Sequence, residues 1–157
     1  MSLLFINTFI ALAYIGVQGK FSLTGFMIGF ALGYLALWIT QPLYGATSYF
    51  RRVPKTVRLG GYFLVELIGS TLRVFWDVIT PGHISHPGIV GVPLSARTDM
   101  EILLVANLIS LTPGTLSIDL SADHRTLFVH VMYLDDPEHF RQSIKDGIER
   151  RVLEVTR

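Results

Sequence analysis

The sequence contains no cysteine. Disulfides, thiolate metal centres and cysteine nucleophiles are therefore excluded, and the absence fits a cytoplasmic domain. Charge is almost as scarce at the start of the chain, where Lys20 is the only charged side chain between Met1 and Phe50. The 157 residues together carry a formal charge of +1, so no global basic field exists and no nucleic-acid partner is expected. A phosphate-cradling glycine loop and a nucleophile elbow are also lacking. No catalytic residue and no cofactor is expected, and the chain does not read as an enzyme. His83 and His86 share a loop, but no Cys, Asp or Glu lies in that loop to complete a metal site, so no metal is expected. A positive n-region is missing ahead of the first apolar run, and Tyr14-Ile15-Gly16-Val17-Gln18 is a poor cleavage site, so this run reads as retained.

What is abundant is apolar surface. Hydrophobic residues make up 50% of the chain and its mean hydropathy is +0.49. With charge confined almost wholly to the part after Phe50, the chain reads as a membrane half followed by a water-facing half. Leu3 to Val17 is apolar apart from Asn7 and Thr8. As a helix it covers roughly 22 Å, short of a bilayer core but able to span with local thinning. Phe21 to Thr40 is a second uncharged run, about 20 residues long, the length a bilayer needs. The tight Gln18-Gly19-Lys20 link predicts an antiparallel transmembrane hairpin. Gly25, Gly29 and Gly33 recur at four-residue spacing on one helix face and predict a close helix-packing surface, against the first segment or another subunit. Arg51, Arg52, Lys55 and Arg58 follow as a basic loop. They give the positive-inside signal and place both the N-terminus and the C-terminal domain in the cytoplasm; contact with anionic lipid headgroups is the other use of such a loop.

Residues 57–80 form a third hydrophobic segment with a polar stripe of Arg58, Tyr62, Glu66, Ser70, Arg73 and Asp77. Three arrangements fit: an amphipathic helix in or obliquely embedded in the interface, a span with its stripe against other subunits, or the first helix of the soluble domain. Glu66, Arg73 and Asp77 are the candidate polar or ion-linked residues. A charge held at the interface, or a Glu66–Arg73 pair, is the plainer use of the same residues.

Residues 81–157 predict a small cytoplasmic α+β domain in the order β-α-β-β-α. Ile89 to Leu94 reads as a short edge strand because of Pro93. Thr98-Asp99-Met100-Glu101 is a capping box that opens a buried helix. Leu116, Ile118 and Leu120 alternate with Ser117 and Asp119, which predicts a half-buried strand, and Thr126 to Leu134 follows as the second strand of a hairpin. Asp136 and Pro137 open a final helix whose apolar residues Phe140, Ile144, Ile148 and Val152 recur every four positions. The expected organisation is thus 1–56, hairpin and basic loop; 57–80, membrane-associated helix; and 81–157, cytoplasmic α+β domain.

The run Val105-Ala106-Asn107-Leu108-Ile109-Ser110-Leu111-Thr112-Pro113-Gly114-Thr115-Leu116 resembles the E-type component of the Mrp-type (Mnh, Pha) multisubunit cation/proton antiporters of prokaryotes. The likeness continues through Leu127 to Val131 and Glu149 to Val155 and covers nearly the whole chain. The resemblance implies a subunit of a hetero-oligomer in the prokaryotic cytoplasmic membrane that exchanges Na⁺ or another monovalent cation for protons and serves pH homeostasis. In that family ion movement is attributed mainly to large subunits, which implies a supporting role in assembly or gating for this one. Other subunits and membrane lipid are the expected partners. A membrane-anchored scaffold or regulatory domain unconnected with transport is the alternative. Asn107, Thr112, Pro113, Gly114 and Thr115 match the family motif; they form either a structural helix-to-strand turn or a docking loop.

Overall fold

A computed structural model describes residues 3–43, 45, 47–82 and 84–157. His83, one of the two loop histidines, lies outside the described residues. The chain divides into two compact units, Met1–Pro54 and Lys55–Arg157.

The first unit is a helical hairpin. Helix α1 runs Leu3–Gln18 and α2 runs Leu23–Ile39. Between them Gly19 adopts φ +65°, the left-handed turn that glycine takes without a Cβ penalty. The side chain of Ser22 accepts from the Gly25 N–H and caps α2, and Thr40 closes the other end. These caps trim the apolar run to 17 residues, about 26 Å by helical rise against the roughly 30 Å of a hydrocarbon core. Among the described residues no helix is long and apolar enough to cross a membrane. The run of about 20 residues expected from the sequence is thus a helix of 17.

A short 3₁₀ turn, Gln41–Leu43, follows α2. Helix α3 then runs Tyr49–Ile79, so Arg51, Arg52, Lys55 and Arg58 stand on helical backbone, which corrects the basic loop. Arginine and lysine are good helix formers, and Pro54, inside the helix, costs it one backbone donor.

The second unit carries a three-stranded antiparallel sheet of order β1-β3-β2, with β1 Gly88–Pro93, β2 Thr115–Leu120 and β3 Thr126–Val131. Both outer strands pair with β3: Val90 faces Val129 across one ladder and Ser117 faces Val129 across the other. A bulge between Ser117 and Asp119 shifts the second register. Helix α4, Asp99–Ser110, starts at the capping box: the Thr98 hydroxyl accepts from the Glu101 N–H, and the Glu101 carboxylate reaches back to the Thr98 N–H. Val90, Val92, Leu127, Val129 and Val131 pack from one sheet face against Val105 and Ile109 of α4 and against Ile144, Ile148 and Val152.

The last three residues come from a segment that is not one continuous α-helix. Helix α5, Pro137–Ile144, and helix α6, Arg150–Thr156, flank a π-helical turn, Lys145–Glu149. A strict four-residue repeat drifts by about 40° per step on a 3.6-residue helix. The wider π turn takes up that drift and returns Ile144, Ile148 and Val152 to one buried face.

Candidate functional site

The polar stripe of α3 lies against the α+β part of its own unit. Leu59 and Tyr62 pack on the core cluster. A Cβ on Gly147 would crowd the Tyr62 hydroxyl, so any other residue at that position of the π turn requires the Tyr62 ring to shift. On the other side of the ring, the Arg151 guanidinium carbon stands 3.8 Å from the ring centroid, a cation–π stack. Burial, reinforced by the Glu66 carboxylate, pushes the Tyr62 phenol up to about 12. Further along the helix, Asp77 is 3% exposed. Its carboxylate accepts from the Ile84 N–H at 2.7 Å and from the Tyr133 hydroxyl at 3.2 Å. Arg73 stands 6.0 Å from the Tyr133 ring centroid. Asp77 and Arg73 therefore act, in this arrangement, as fastenings between α3 and the chain that follows β3. Glu66 neighbours Tyr62, and Arg73 neighbours Tyr133.

Between these two fastenings lies a cavity of about 460 Å³. Glu66, Ser70 and Arg73 line it from α3, and Thr112, Pro113, Gly114 and Thr115 from the turn after α4. Asp135, Asp136 and His139 line its side, and Ile109, Val131 and Ile144 are apolar lining. Two sets of residues singled out separately in the sequence are thus brought to one cleft; Asn107 is exposed on α4 outside its lining.

The turn itself is tightly bonded. The Thr112 hydroxyl donates to the Leu108 carbonyl, and the Thr115 hydroxyl donates to the carbonyls of Ile109 and Thr112. Gly114 has φ +88°, and a Cβ there would meet the Tyr133 ring at 3.3 Å. Thr112, Gly114 and Thr115 are therefore explained by the local geometry, and with Pro113 they border the cleft. Among the described residues no cluster of three or more His, Asp or Glu could hold a metal ion.

The basic residues have separate roles. Lys55 donates to the Glu154 carbonyl at 2.7 Å, and all four of Arg51, Arg52, Lys55 and Arg58 are exposed. In the first unit, Gly25, Gly29 and Gly33 face α1: a Cβ at Gly29 would lie 3.1 Å from the Ala11 backbone, and one at Gly33 would strike the Asn7 side chain. Buried Asn7 donates to the Tyr49 hydroxyl at 2.6 Å.

Several organising residues carried little sequence signal. Glu149, 2% exposed, accepts from the backbone N–H groups of Ser95 and Ala96. Glu101 pairs with Arg157 at 3.0 Å. Arg157, then the Arg97 N–H, hold its carboxyl down at about 2 despite the opposing effect of burial. Gly147, in mid-helix, is a sequence signal for its close approach to Tyr62 that the periodicity alone does not carry.

The architecture defines a helical hairpin followed by a small α+β module fronted by an amphipathic helix. The family model for the Na⁺/H⁺ ion antiporter subunit (MnhE) matches residues 7–155. The chain belongs to that family. It is 36% identical over 152 residues to the E-type Na⁺/H⁺ antiporter subunit of Alkalihalophilus pseudofirmus, covering 97% of this chain and 96% of the relative. It is 30% identical to the corresponding Bacillus subtilis protein over the same shares. A chain of the solved Mrp complex from Dietzia sp. DQ12-45-1b superposes with a TM-score of 0.50 at 29% identity, over 61% of this chain and 90% of that one. A chain of the membrane-bound sulfane sulfur reductase, an archaeal respiratory membrane complex, shares the fold, with a TM-score of 0.58 at 22% identity over 96% of each chain.

Proposed function

We propose that this chain is an accessory subunit of a multisubunit Na⁺ (monovalent cation)/H⁺ antiporter of the prokaryotic plasma membrane, and that it supports assembly or stability of the ion-translocating subunits. The observation that carries this reading is the family match over nearly the whole chain, joined to a structure whose charged residues are used for fastening. Asp77 is held by two donors, and Arg151 stacks on Tyr62. The glycine face of α2 is taken up by α1. A two-helix hairpin closed in this way encloses no ion path of its own.

In this reading α1 and α2 are membrane-embedded, with local thinning of the bilayer making up for their short length. The positive-inside bias of Arg51, Arg52, Lys55 and Arg58 directs both termini to the cytoplasm. The cleft bordered by Thr112–Thr115, Glu66 and Arg73 is the docking surface for a neighbouring subunit. To test this, the affinity-tagged chain is extracted from its native host in mild detergent. Recovery of large polytopic subunits in fixed ratio is the expected result. Recovery of the chain alone, folded and monodisperse, would overturn it in favour of a membrane-anchored regulator.

A further inference from the structure

Helix α3 has two faces of opposite character. The inward one, from Leu59 through Tyr62 and Glu66 to Asp77, is occupied by the α+β module. The outward one presents Leu64, Val65, Ile68, Leu72, Phe75 and Trp76, each between 56% and 70% exposed. At 100° per residue these six fall within one contiguous arc of the helix surface. Contiguous exposed apolar patches of this kind mark sites of interaction with a protein or a membrane. It has no covering element among the described residues.

We infer that α3 lies in the plane of the membrane, its outward face in the boundary between headgroups and acyl chains and its cations on anionic headgroups. Three observations choose lipid as the occupant. First, the apolar face runs from Val57 to Ile79, about 33 Å by helical rise. A crossing helix of another protein would cover only a part of that length, whereas a membrane surface covers all of it. Second, Arg58 is exposed and stands at the edge of the apolar arc. There its stem lies along the apolar surface while the guanidinium group reaches anionic phosphates. Third, Trp76 stands on the same face, a residue suited to the interface.

The geometry also excludes a span. The module is fastened to α3 at Tyr62 and again at Asp77, fifteen positions apart and roughly 22 Å along the helix. A spanning α3 would draw a polar-surfaced sheet domain into the hydrocarbon. The in-plane placement keeps the module in water and turns the cleft with Glu66, Arg73 and His139 away from lipid. It does not depend on the antiporter assignment.

The absence of cysteine makes the test direct. Single-cysteine variants Leu64→Cys, Ile68→Cys and Phe75→Cys of the full chain carry a spin label, with Ser143→Cys on the module as the aqueous reference. The labelled chains are reconstituted into phosphatidylcholine vesicles with and without phosphatidylglycerol. Relaxation by oxygen and by a water-soluble nickel chelate reports depth. The expected result is one common depth at all three sites, on the order of 5–10 Å below the headgroups, with Ser143→Cys in water. Phosphatidylglycerol should deepen residue 64, and Arg58→Gln should abolish that dependence. Quenching of Trp76 by brominated lipid, measured in a Trp38→Phe chain without labels, gives the same reading if a label disturbs folding. A depth that changes by roughly 16 Å between residues 64 and 75 would mean a span and overturn the inference. Chelate access at all three sites would overturn it equally, as would a Trp76 that brominated lipid leaves unquenched.

Discussion

Alanine at Gly147 would set a methyl group against the Tyr62 hydroxyl, in a π turn that is itself buried. The ring has little room to retreat because Arg151 stacks on it 3.8 Å from the centroid. Overpacking at such a site costs about 1–3 kcal/mol, and losing the stack about 0.5–2 kcal/mol. Alanine recovers up to about 1 kcal/mol of backbone propensity over glycine. The net expectation for Gly147→Ala is a destabilisation of about 1–3 kcal/mol. Tyr62→Phe removes the obstructing oxygen but keeps the ring, losing about 1 kcal/mol with the hydrogen bond to Glu66. The double variant should therefore be more stable than the two single costs added together, by about 1 kcal/mol or more. Urea unfolding of the full chain in detergent, read beside amide exchange over residues 145–156, measures all four corners of this cycle. Strictly additive costs would refute the contact between α3 and the π turn as the origin of the effect.

Other expectations follow from the same contacts. Glu101→Gln should cost about 1–3 kcal/mol at neutral pH, at the lower end because Arg157 is half exposed. Because the Glu101 pKa is depressed, its contribution is complete above the ordinary value of 4.5 and disappears as pH falls towards 2, so wild type and variant should converge there in thermal unfolding. Gly33→Val should separate α1 from α2, read as an increased spin-label distance between the two helices in micelles; an unchanged distance would remove the glycine face from the account. Gly114→Val combines a positive φ with a clash against Tyr133, and should lower the stability of the second unit by about 1–3 kcal/mol in urea unfolding.

Where local chemistry determines structure, the sequence was readable. The Thr98–Glu101 capping box and the Asp136-Pro137 helix start depend on neighbours a few residues away, and each stands where its pattern implies. The alternation of Leu116, Ile118 and Leu120 gave the strand but not its facing: Leu116 and Ile118 are exposed, because the core is filled from β1 and β3. The π turn left its trace in the strict four-residue recurrence of Phe140, Ile144, Ile148 and Val152, which an unbroken α-helix does not favour. Arg51 to Lys55 misled because charge and Pro54 suggested a loop, while Tyr49 and Phe50 let the helix begin earlier. The cleft was legible only in pieces. Glu66 and Arg73 stood out by hydropathy and Thr112–Thr115 by their turn residues, but their shared cavity arises from contacts some forty to sixty residues apart in sequence. Tyr62 with Gly147, and Asp77 with Tyr133, are likewise long-range pairs that no periodicity announces.

The supporting role in assembly is tested most directly by removing this chain from its native host while the other antiporter subunits are retained. The membranes are then resolved by native electrophoresis, and cation-dependent proton movement is followed in everted vesicles. Loss or fragmentation of the large complex together with loss of antiport is the predicted result, both restored by the wild-type chain. An intact complex with undiminished antiport in the absence of this chain would contradict that role.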